Sequence, residues 1–264
     1  MDSSLGVYVH VPFCAHVCPY CDFAVEASGS GGAAFAATEK AYVETLLAEL
    51  ALRRDAFAGR SLASVYFGGG TPSLLRPDSL ARIREAVEQA FPPGPDPVEV
   101  TLEVNPSSTE RERLPAFREE AGVNRLSVGV QSFDDSTLKA LGRAHLADEC
   151  RQTLAAARAA GFVNLSLDLM FAVPGQTQAM LESDLDEALR FEPEHVSGYE
   201  LVFEAGTPFG RAAAEGRLRA FPEDGCARMV DTIEARLLAA GYPRYELTNY
   251  ARPGHESVHN RRYW

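Results

Sequence analysis

The chain is poor in basic residues and has no long apolar run, and each shortage excludes a class of function. Its 264 residues include 37 Asp and Glu against 25 Lys and Arg, which gives a net charge of −12. Binding to nucleic-acid phosphates needs a basic field, so this charge disfavours a nucleic-acid partner. No stretch of 18 apolar residues occurs, and we therefore expect no membrane-spanning helix.

Cysteine is also scarce, with five in the chain, and nothing in the sequence indicates secretion. Four residues precede the first apolar run, which is too few for a signal peptide. We expect a cytoplasmic location, where thiols stay reduced. Cys150 and Cys226 are predicted to be core residues, because buried free cysteines behave as small hydrophobes. Cys150 shares one face of a predicted helix with Leu146 and Leu154. Cys226 shares one face of another with Val230, Ile233 and Leu237.

The other three cysteines form a C-x3-C-x2-C cluster in the run VHVPFCAHVCPYCDF: Cys14, Cys18 and Cys21. Three thiolates this close can ligate three irons of a cubic iron–sulfur cluster and leave the fourth iron open to a small molecule. By analogy with zinc, an open metal position is typical of a catalytic site. Pro19 argues against a helix that would give the same spacing. A zinc site with His10 or His16 as fourth ligand is the alternative.

Strand-like and helix-like segments alternate along the chain. The six predicted strands are residues 6–11, 64–67, 98–104, 125–130, 164–170 and 195–202. The predicted helices are residues 42–54, 77–91, 110–121, 147–160 and 177–190, of which the third and fourth end at Gly122 and Gly161. This alternation predicts an α/β fold, a partial (β/α)6 TIM-like barrel of parallel strands. A doubly wound open sheet is the structural alternative.

Two further stretches bear on domain organisation. Residues 28–37 are rich in Gly, Ala and Ser and predict a flexible loop. After Val202 the pattern changes to a helix over residues 223–239 and a strand-like segment over residues 244–248. The chain stops at Trp264 without a terminal helix or cap. We therefore expect residues 1–205 to form the barrel, and residues 206–264 to begin the accessory region of a longer protein.

Polar residues lie at the carboxyl ends of several predicted strands, where barrel folds carry their chemistry. The GGGTP segment at residues 68–72 lets a ligand approach the backbone, but it is no P-loop because no Lys-Ser/Thr follows. Glu103, Gln131 and Asp168 end or interrupt the next three apolar strands. Polar groups are costly to bury without a partner. Together they predict a polar ligand at this end of the barrel.

These segments together resemble one family. YVHVPFCAHVCPYCDF, FGGGTPSLL, LEVNP, GVNRLSVGVQSF, LGRAH, LDLMFAVPGQT, NYARPG and HNRRYW are similar to radical S-adenosylmethionine (SAM) proteins, in the group of oxygen-independent coproporphyrinogen III oxidases and heme chaperones of the HemW type. The resemblance runs from Tyr8 to Trp264. It implies a [4Fe-4S] cluster whose fourth iron takes the SAM amine and carboxylate, and whose electron cleaves SAM to a 5′-deoxyadenosyl radical.

The resemblance also implies a role for each matching residue. The cluster ligands would be Cys14, Cys18 and Cys21. Tyr8 and Tyr20 would pack near the cluster and SAM. The amino group of SAM would contact Gly69, Gly70 and Thr71. Other polar parts of SAM would contact Glu103, Gln131 and Arg143, of which Arg143 suits the carboxylate. The ribose would contact Asp168, and the adenine would contact Met170 and Val202.

Three departures separate chaperones from oxidases, and they favour the chaperones. The oxidases carry a further cysteine two residues after the third, where this chain has Phe23. They also carry an N-terminal extension, for which four residues leave no room. The chain ends in HNRRYW, similar to the HNxxYW motif of the chaperones, which implies that His259 binds heme iron and that Arg262 pairs with a propionate. Ala172 stands where the family usually has glycine.

The resemblance therefore implies a heme chaperone that binds heme and delivers it to apo-hemoproteins, respiratory enzymes at the membrane among them. An electron donor of the flavodoxin or ferredoxin type is the implied redox partner. The first alternative is an oxidase that decarboxylates coproporphyrinogen III to protoporphyrinogen IX in porphyrin biosynthesis, so whether the chain is an enzyme stays open. The remote alternative, a structural zinc-binding module, leaves the SAM-site residues unexplained.

Overall fold

The computed structural model describes residues 4–28 and 32–264. Its strands and helices in this part of the chain are β1 (Leu5–Val11), β2 (Phe13–Cys14), β3 (Glu26–Ala27), α1 (Gly32–Arg53), β4 (Leu62–Gly69), α2 (Pro77–Ala90), β5 (Glu99–Val104), α3 (Ser108–Glu119), β6 (Arg125–Gln131), α4 (Asp135–Ala140), α5 (Ala147–Ala159), β7 (Leu165–Phe171), α6 (Gln178–Arg190), β8 (His195–Glu200), α7 (Pro208–Ala214), α8 (Glu223–Ala239) and β9 (Asn249–Ala251).

The main sheet is a curled half-barrel. Its strand order is β1-β4-β5-β6-β7-β8-β9, with parallel pairing throughout except that β9 runs antiparallel to β8. A doubly wound sheet reverses its order at a switch point, whereas this order follows the chain. The prediction of a partial (β/α)6 barrel is therefore confirmed, with each of the six predicted strands at its expected place.

Side chains alternate strictly between the two faces of the sheet. On the outer face, apolar side chains such as Phe67, Leu102 and Val128 are fully buried beneath the helices. On the inner face, which we call the lumen face, the residues are mostly polar or small. They are Gly6, Tyr8 and His10 of β1, Ser64, Tyr66 and Gly68 of β4, Glu99, Thr101 and Glu103 of β5, Arg125, Ser127 and Gly129 of β6, Ser166, Asp168 and Met170 of β7, and His195, Ser197 and Tyr199 of β8.

The helices that cover the outer face follow from local sequence. Helix α2 begins with Pro77, whose fixed φ suits a first helical position, and it buries Leu80, Ile83 and Val87 against the sheet. Each such side chain contributes about 1.5–3 kcal/mol when fully buried. Helices α3 and α5 are followed by Gly122 and Gly161 at φ 69° and 86°, the left-handed conformation that ends a helix.

Two predicted segments were wrong in part. Of the predicted loop over residues 28–37, residues 29–31 lie outside the described part, and residues 32–37 form the start of α1, where Phe35 packs edge-on against Phe13. The predicted strand over residues 244–248 lies instead at β9. Of the predicted strand, Arg244 forms only an isolated bridge with Tyr250, and the Tyr245 hydroxyl lies 2.9 Å from the His195 Nε2.

The two remaining cysteines also have defined places. Cys150 is fully buried in the core, as predicted, and Cys226 is half-buried against it. Leu146 does not share the Cys150 stripe, because it precedes α5 as the N-cap residue and is 56% exposed. Within the described ranges, no helix combines the length and apolar character that crossing a bilayer requires.

Candidate active site

A cavity of about 360 Å³ opens at the carboxyl ends of β4 to β8. The loop that carries the three cysteines forms one wall, and the ends of the strands form the others. We call it the cysteine cavity. It contains every cysteine of the C-x3-C-x2-C cluster, at the end of the barrel where the sequence predicts a polar ligand.

The cysteine loop is fixed at both ends. Cys14 closes β2, which pairs with β3, and the Ser28 N–H donates to the Cys14 carbonyl at 2.9 Å. The Cys21 N–H donates to the Cys18 carbonyl at 3.1 Å, so a tight turn brings these two thiols together. All three thiols are free. Burial raises the pKa of the Cys14 and Cys21 thiols, so a cluster must compete with protons for them.

The glycine segment after β4 lies directly against this loop. The N–H groups of Gly70 and Thr71 donate to the carbonyls of Val11 and Phe13 at 2.8 and 2.7 Å. Gly69 has a φ of 109°, which side-chain-bearing residues rarely adopt. A Cβ on Gly70 would lie 2.8 Å from the Cys14 sulfur and 2.6 Å from the Phe13 carbonyl oxygen. Close approach of two backbones explains the glycine at this position.

Glu103 lies next to the glycine segment, at the end of β5. Its carboxylate accepts from the Tyr66 hydroxyl at 2.8 Å and from the Gly69 N–H at 3.2 Å. Burial raises the pKa of Glu103 to about 8, the nearby Asp168 charge adds to the increase, and the two hydrogen bonds oppose it. A cationic amine in the cavity would favour the ionised carboxylate.

Arg143 connects the cysteine loop to the strand ends. Its guanidinium donates to the Cys18 sulfur at 3.3 Å, to the Asn105 Oδ1 at 2.5 Å and to the Gly129 carbonyl at 3.3 Å. Asn105 in turn donates to the Thr71 hydroxyl at 2.9 Å. The Arg143 Nε is buried and has no hydrogen-bond partner among the described residues. This donor is available to an anionic group in the cavity.

Asp168 of β7 also lines the cavity. Both of its carboxylate oxygens accept from the Ser127 hydroxyl, at 3.1 and 3.0 Å. Burial raises its pKa, against the hydrogen bonds from Ser197 and Ser127. Met170 and Val202 line the adjoining apolar wall. Such a pairing of acceptor and apolar surface suits a nucleoside, with hydroxyls on one side and a base on the other.

The structure brings most of the predicted site residues together and leaves two outside. Besides the cysteines, the cavity wall contains Tyr20, Gly69, Gly70, Thr71, Glu103, Gln131, Arg143, Asp168, Met170 and Val202. Tyr8 is not in the wall. It lies on the lumen face of β1 in register with Tyr66, and its ring stacks 6.0 Å from that of Tyr66.

His259 lies at the opposite end of the lumen, buried beside the first residues of β4. Its Nδ1 is 3.0 Å from the Ser64 hydroxyl and its Nε2 is 3.5 Å from the Tyr263 hydroxyl. Ser64 and Gly70 are six residues apart along an extended strand, a separation of roughly 20 Å. His259 is thus remote from the cysteine loop, although its ring packs against Tyr66 of the cavity wall. Arg262 donates to the Ser4 carbonyl at 3.3 Å.

Several residues of the cavity escaped the sequence reasoning: Tyr66, Asn105, Ser127 and Tyr199. The period-two alternation carries a usable signal for three of them, because Tyr66, Ser127 and Tyr199 are polar residues at lumen positions of apolar strands. Asn105 directly follows Glu103 and Val104 in LEVNP, so its place at the strand end was also available from the motif.

The histidines proposed for zinc have other partners. The His10 Nε2 lies 2.9 Å from the Ala24 carbonyl, and the His16 Nε2 lies 3.0 Å from the Gly142 carbonyl. Across residues 4–28 and 32–264, no three His, Cys, Asp or Glu side chains are grouped as ligands of a single ion. Both histidines named as a possible fourth zinc ligand thus contact backbone carbonyls in this structure. Three free thiols facing a cavity with cation- and anion-binding groups fit a cluster and SAM.

Comparison with known proteins agrees with this geometry. The Radical SAM superfamily model matches residues 8–188. The heme chaperone HemW of Bacillus subtilis is 37% identical over 262 residues, which cover 98% of this chain and 66% of that protein. A Bos taurus protein, radical S-adenosyl methionine domain-containing protein 1, mitochondrial, is 41% identical over 260 residues, which cover 98% of this chain and 57% of its own length.

A solved structure extends the comparison to the fold. Coproporphyrinogen III oxidase (HemN) from Escherichia coli, a radical SAM enzyme, superposes with a TM-score of 0.80 at 26% identity and covers 96% of this chain and 56% of that one. The chain belongs to the radical SAM superfamily. Within it, its relatives are heme chaperones of the HemW type and HemN, as the sequence motifs predict. The chain spans 66% or less of the length of these relatives.

Proposed function

We propose that this chain is the radical SAM part of a heme chaperone, which binds a [4Fe-4S] cluster, SAM and heme and delivers heme to apo-hemoproteins. The observation that carries the choice is Phe23, which lines the cysteine cavity where the oxidases place a further cysteine. The HemW relatives at 37% identity support the same choice. The accessory region that we assign to residues 206–264 belongs to this proposal.

Different residues of the cavity would bind the cluster and the separate parts of SAM. Cys14, Cys18 and Cys21 would hold the cluster, whose reduced form supplies the electron for cleavage of SAM when both are bound. Glu103 and the glycine segment would hold the SAM amine. Arg143, whose Nε has no partner among the described residues, would hold the carboxylate. The acceptor oxygens of Asp168 would hold the ribose, and the wall formed by Met170 and Val202 would contain the adenine.

Heme binding would use His259, in line with the HNRRYW motif. Of its two nitrogens, Nδ1 faces Ser64 at 3.0 Å and Nε2 faces Tyr263 at the longer distance of 3.5 Å. The Nε2 contact is the weaker one and the one that an iron ion would replace. Since Tyr263 is 69% exposed, its ring can move without opening the core. Arg262, at the same surface, would pair with a propionate.

Heme titration of the anaerobic protein tests this proposal. Wild type is expected to bind heme with a Soret shift typical of an imidazole ligand, and H259A to bind it more weakly while keeping its iron and sulfide content. The matched control is His255→Ala, a histidine in the preceding turn that the proposal gives no role. An identical titration for wild type and H259A would remove His259 from the heme site.

The oxidase is the second candidate, favoured by the TM-score of 0.80 to HemN. It would take a hydrogen atom and one electron from a propionate side chain of coproporphyrinogen III, with the electron passing to a separate acceptor, and release carbon dioxide to leave a vinyl group. Mass spectrometry after anaerobic incubation with SAM, reductant and coproporphyrinogen III distinguishes the two. Decarboxylated product at multiple turnovers would select the oxidase. Cleaved SAM without that product supports the chaperone.

Location and partners follow from the same proposal. We place the protein in the cytoplasm, with a flavodoxin- or ferredoxin-type electron donor and with apo-hemoproteins at the membrane as heme acceptors. The acidic balance of 37 Asp and Glu against 25 Lys and Arg weighs against nucleic acid as a partner. Incubation of the heme-loaded protein with a candidate apo-acceptor, followed by separation and measurement of heme on each protein, would test the transfer step directly.

A further inference from the structure

The end of the chain closes the floor of the lumen, opposite the cysteine cavity. Residues 257–263, which we call the floor segment, are held by one carboxylate. Glu99 accepts from the Ser257 hydroxyl at 3.2 Å and from the backbone N–H groups of Val258 and His259 at 3.1 and 3.0 Å. Both Glu99 and His259 are buried. The backbone of His259 therefore has a fixed position relative to β5.

The imidazole of His259 is fixed as well. Its ring centroid lies 4.9 Å from that of Tyr66, with the planes tilted by 32°. A Cβ on Gly6 would be 3.0 Å from the His259 Nδ1, so β1 leaves no free space behind the ring. The hydroxyl of Ser64 holds Nδ1 from below. Aromatic packing in such a confined site restricts Tyr66 to one orientation.

Tyr66 connects His259 to the residues of the cysteine cavity. Its hydroxyl donates to one Glu103 oxygen at 2.8 Å, and the second Glu103 oxygen accepts from the Gly69 N–H at 3.2 Å. Three contacts thus connect the floor segment to the glycine segment of the cysteine cavity. A side chain held at one end by packing and at the other by a hydrogen bond positions the carboxylate that it contacts.

We propose that His259 is a positioning residue for the SAM site, acting through Tyr66 on Glu103. This role rests on the proposed SAM site but not on heme binding, because it depends on contacts between His259, Tyr66 and Glu103. Without the imidazole, Tyr66 gains room to tilt toward the floor, its bond to Glu103 lengthens, and the carboxylate loses its orientation toward Gly69. SAM affinity is then the property that changes.

Equilibrium binding of SAM to the cluster-loaded full chain tests this role. We expect H259A to bind SAM about five- to tenfold more weakly, a common range for coupling between linked sites. H259F, which keeps a ring against Tyr66 and loses the nitrogen atoms, is expected to bind SAM within about twofold of wild type, because packing rather than hydrogen bonding transmits the effect. Iron and sulfide content, measured on each sample, must match wild type.

A double-mutant cycle identifies the route. Y66F removes the hydroxyl that holds Glu103, so Y66F is expected to weaken SAM binding, and addition of H259A to it to cost little more. The control for general destabilisation is L154A in the core of α5, which is fully buried but remote from the lumen. Should H259A fail to load its cluster, H259S, which is also smaller than the imidazole and leaves the same room beside Tyr66, takes its place in the cycle.

The outcomes separate this role from its competitors. Unchanged SAM affinity in H259A, or in H259S where that variant is used, overturns it. So does an equal loss in L154A, which would mark a general effect of instability, or additive losses in the double mutant, which would exclude the route through Tyr66. A loss of heme binding with unchanged SAM affinity would support the heme site and reject the positioning role.

Discussion

The Cα of Gly70 approaches Cys14 so closely that a Cβ at this position would lie 2.8 Å from the cysteine sulfur. The overlap also involves the Phe13 carbonyl oxygen at 2.6 Å, an atom of the backbone that cannot rotate away. Because real Cβ contacts of this length essentially do not occur, one of the two segments must move if Gly70 gains a side chain. The cysteine loop and the glycine segment are therefore packed together so closely that neither can move alone.

The first prediction follows from this contact. Gly70→Ala displaces Cys14 from the other two thiols and lowers cluster occupancy far below that of wild type after the same reconstitution. The measurement is iron and sulfide content together with the visible absorbance of the cluster. Gly206→Ala is the matched control, since a Cβ there meets nothing within 4 Å and the variant keeps full occupancy. Equal occupancy in both variants would contradict the close packing.

The second prediction concerns the choice of cysteines. Cys18→Ala removes a thiol that faces the cavity and accepts from Arg143, and it abolishes cluster assembly because two thiolates cannot hold a cluster with one open iron. Cys226→Ala, a half-buried cysteine on α8, leaves iron and sulfide unchanged. Full iron and sulfide content in C18A would refute the assignment of the cluster ligands.

The fold and the cysteine cavity were largely readable from the sequence, for physical reasons that individual residues illustrate. Leu102 and Glu103 alternate across a pleat, so the apolar partner had to face the helices and the carboxylate the lumen. Strand ends of one parallel sheet meet at one edge, and this brings Glu103, Gln131 and Asp168 together. Local pattern and global topology agree here, which is why the fold and the placement of these side chains could be predicted.

Positions that depend on distant packing could not be read in the same way. From the sequence, His259 looks like a surface residue near a terminus. In the structure its backbone N–H donates to Glu99, 160 residues earlier in the chain, and the residue is buried. Tyr8 precedes the cysteines by few residues, yet it stacks on Tyr66 and does not itself line the cavity. Contacts between residues far apart in the sequence produce no periodic pattern from which they could be predicted.

The third prediction is a pH dependence of SAM binding set by Glu103. Its pKa is raised from 4.5 to about 8, so in the free protein the carboxyl is still largely protonated near neutral pH. SAM brings a cationic amine and favours the ionised form, so binding releases a proton and affinity rises with pH up to about 8. Isothermal titration in buffers of different ionisation enthalpy measures this proton release.

The same group affects stability in the opposite direction. Between pH 4.5 and about 8 the folded chain retains a Glu103 proton that the unfolded chain has lost, so this group's contribution to the free energy of unfolding falls as pH rises. E103Q removes both effects, flattening the pH profile of SAM affinity and weakening binding throughout. A profile that stays as steep in E103Q as in wild type would assign the titration to another group.

The fourth prediction concerns Ala172, which has a φ of 59° directly after β7 and is almost fully buried. The left-handed conformation costs a residue with a Cβ about 1–2 kcal/mol, which gives a reason for the glycine usual in the family. Ala172→Gly relieves that strain. It also loses a buried methyl group, worth about 0.8 kcal/mol, and makes the unfolded chain more flexible, at a cost of about 0.4–1 kcal/mol.

These terms nearly cancel, so Ala172→Gly should leave the free energy of unfolding within about 1 kcal/mol of wild type. Ala172→Val, in contrast, puts a β-branched side chain into the same conformation and into a filled core, and it should destabilise the chain by about 2 kcal/mol or more. Denaturant unfolding of the two variants measures the difference, and Ala156→Val on the half-buried side of α5 controls for β-branching alone. If Ala172→Val were as stable as Ala172→Gly, backbone strain at this position would not account for the family's glycine.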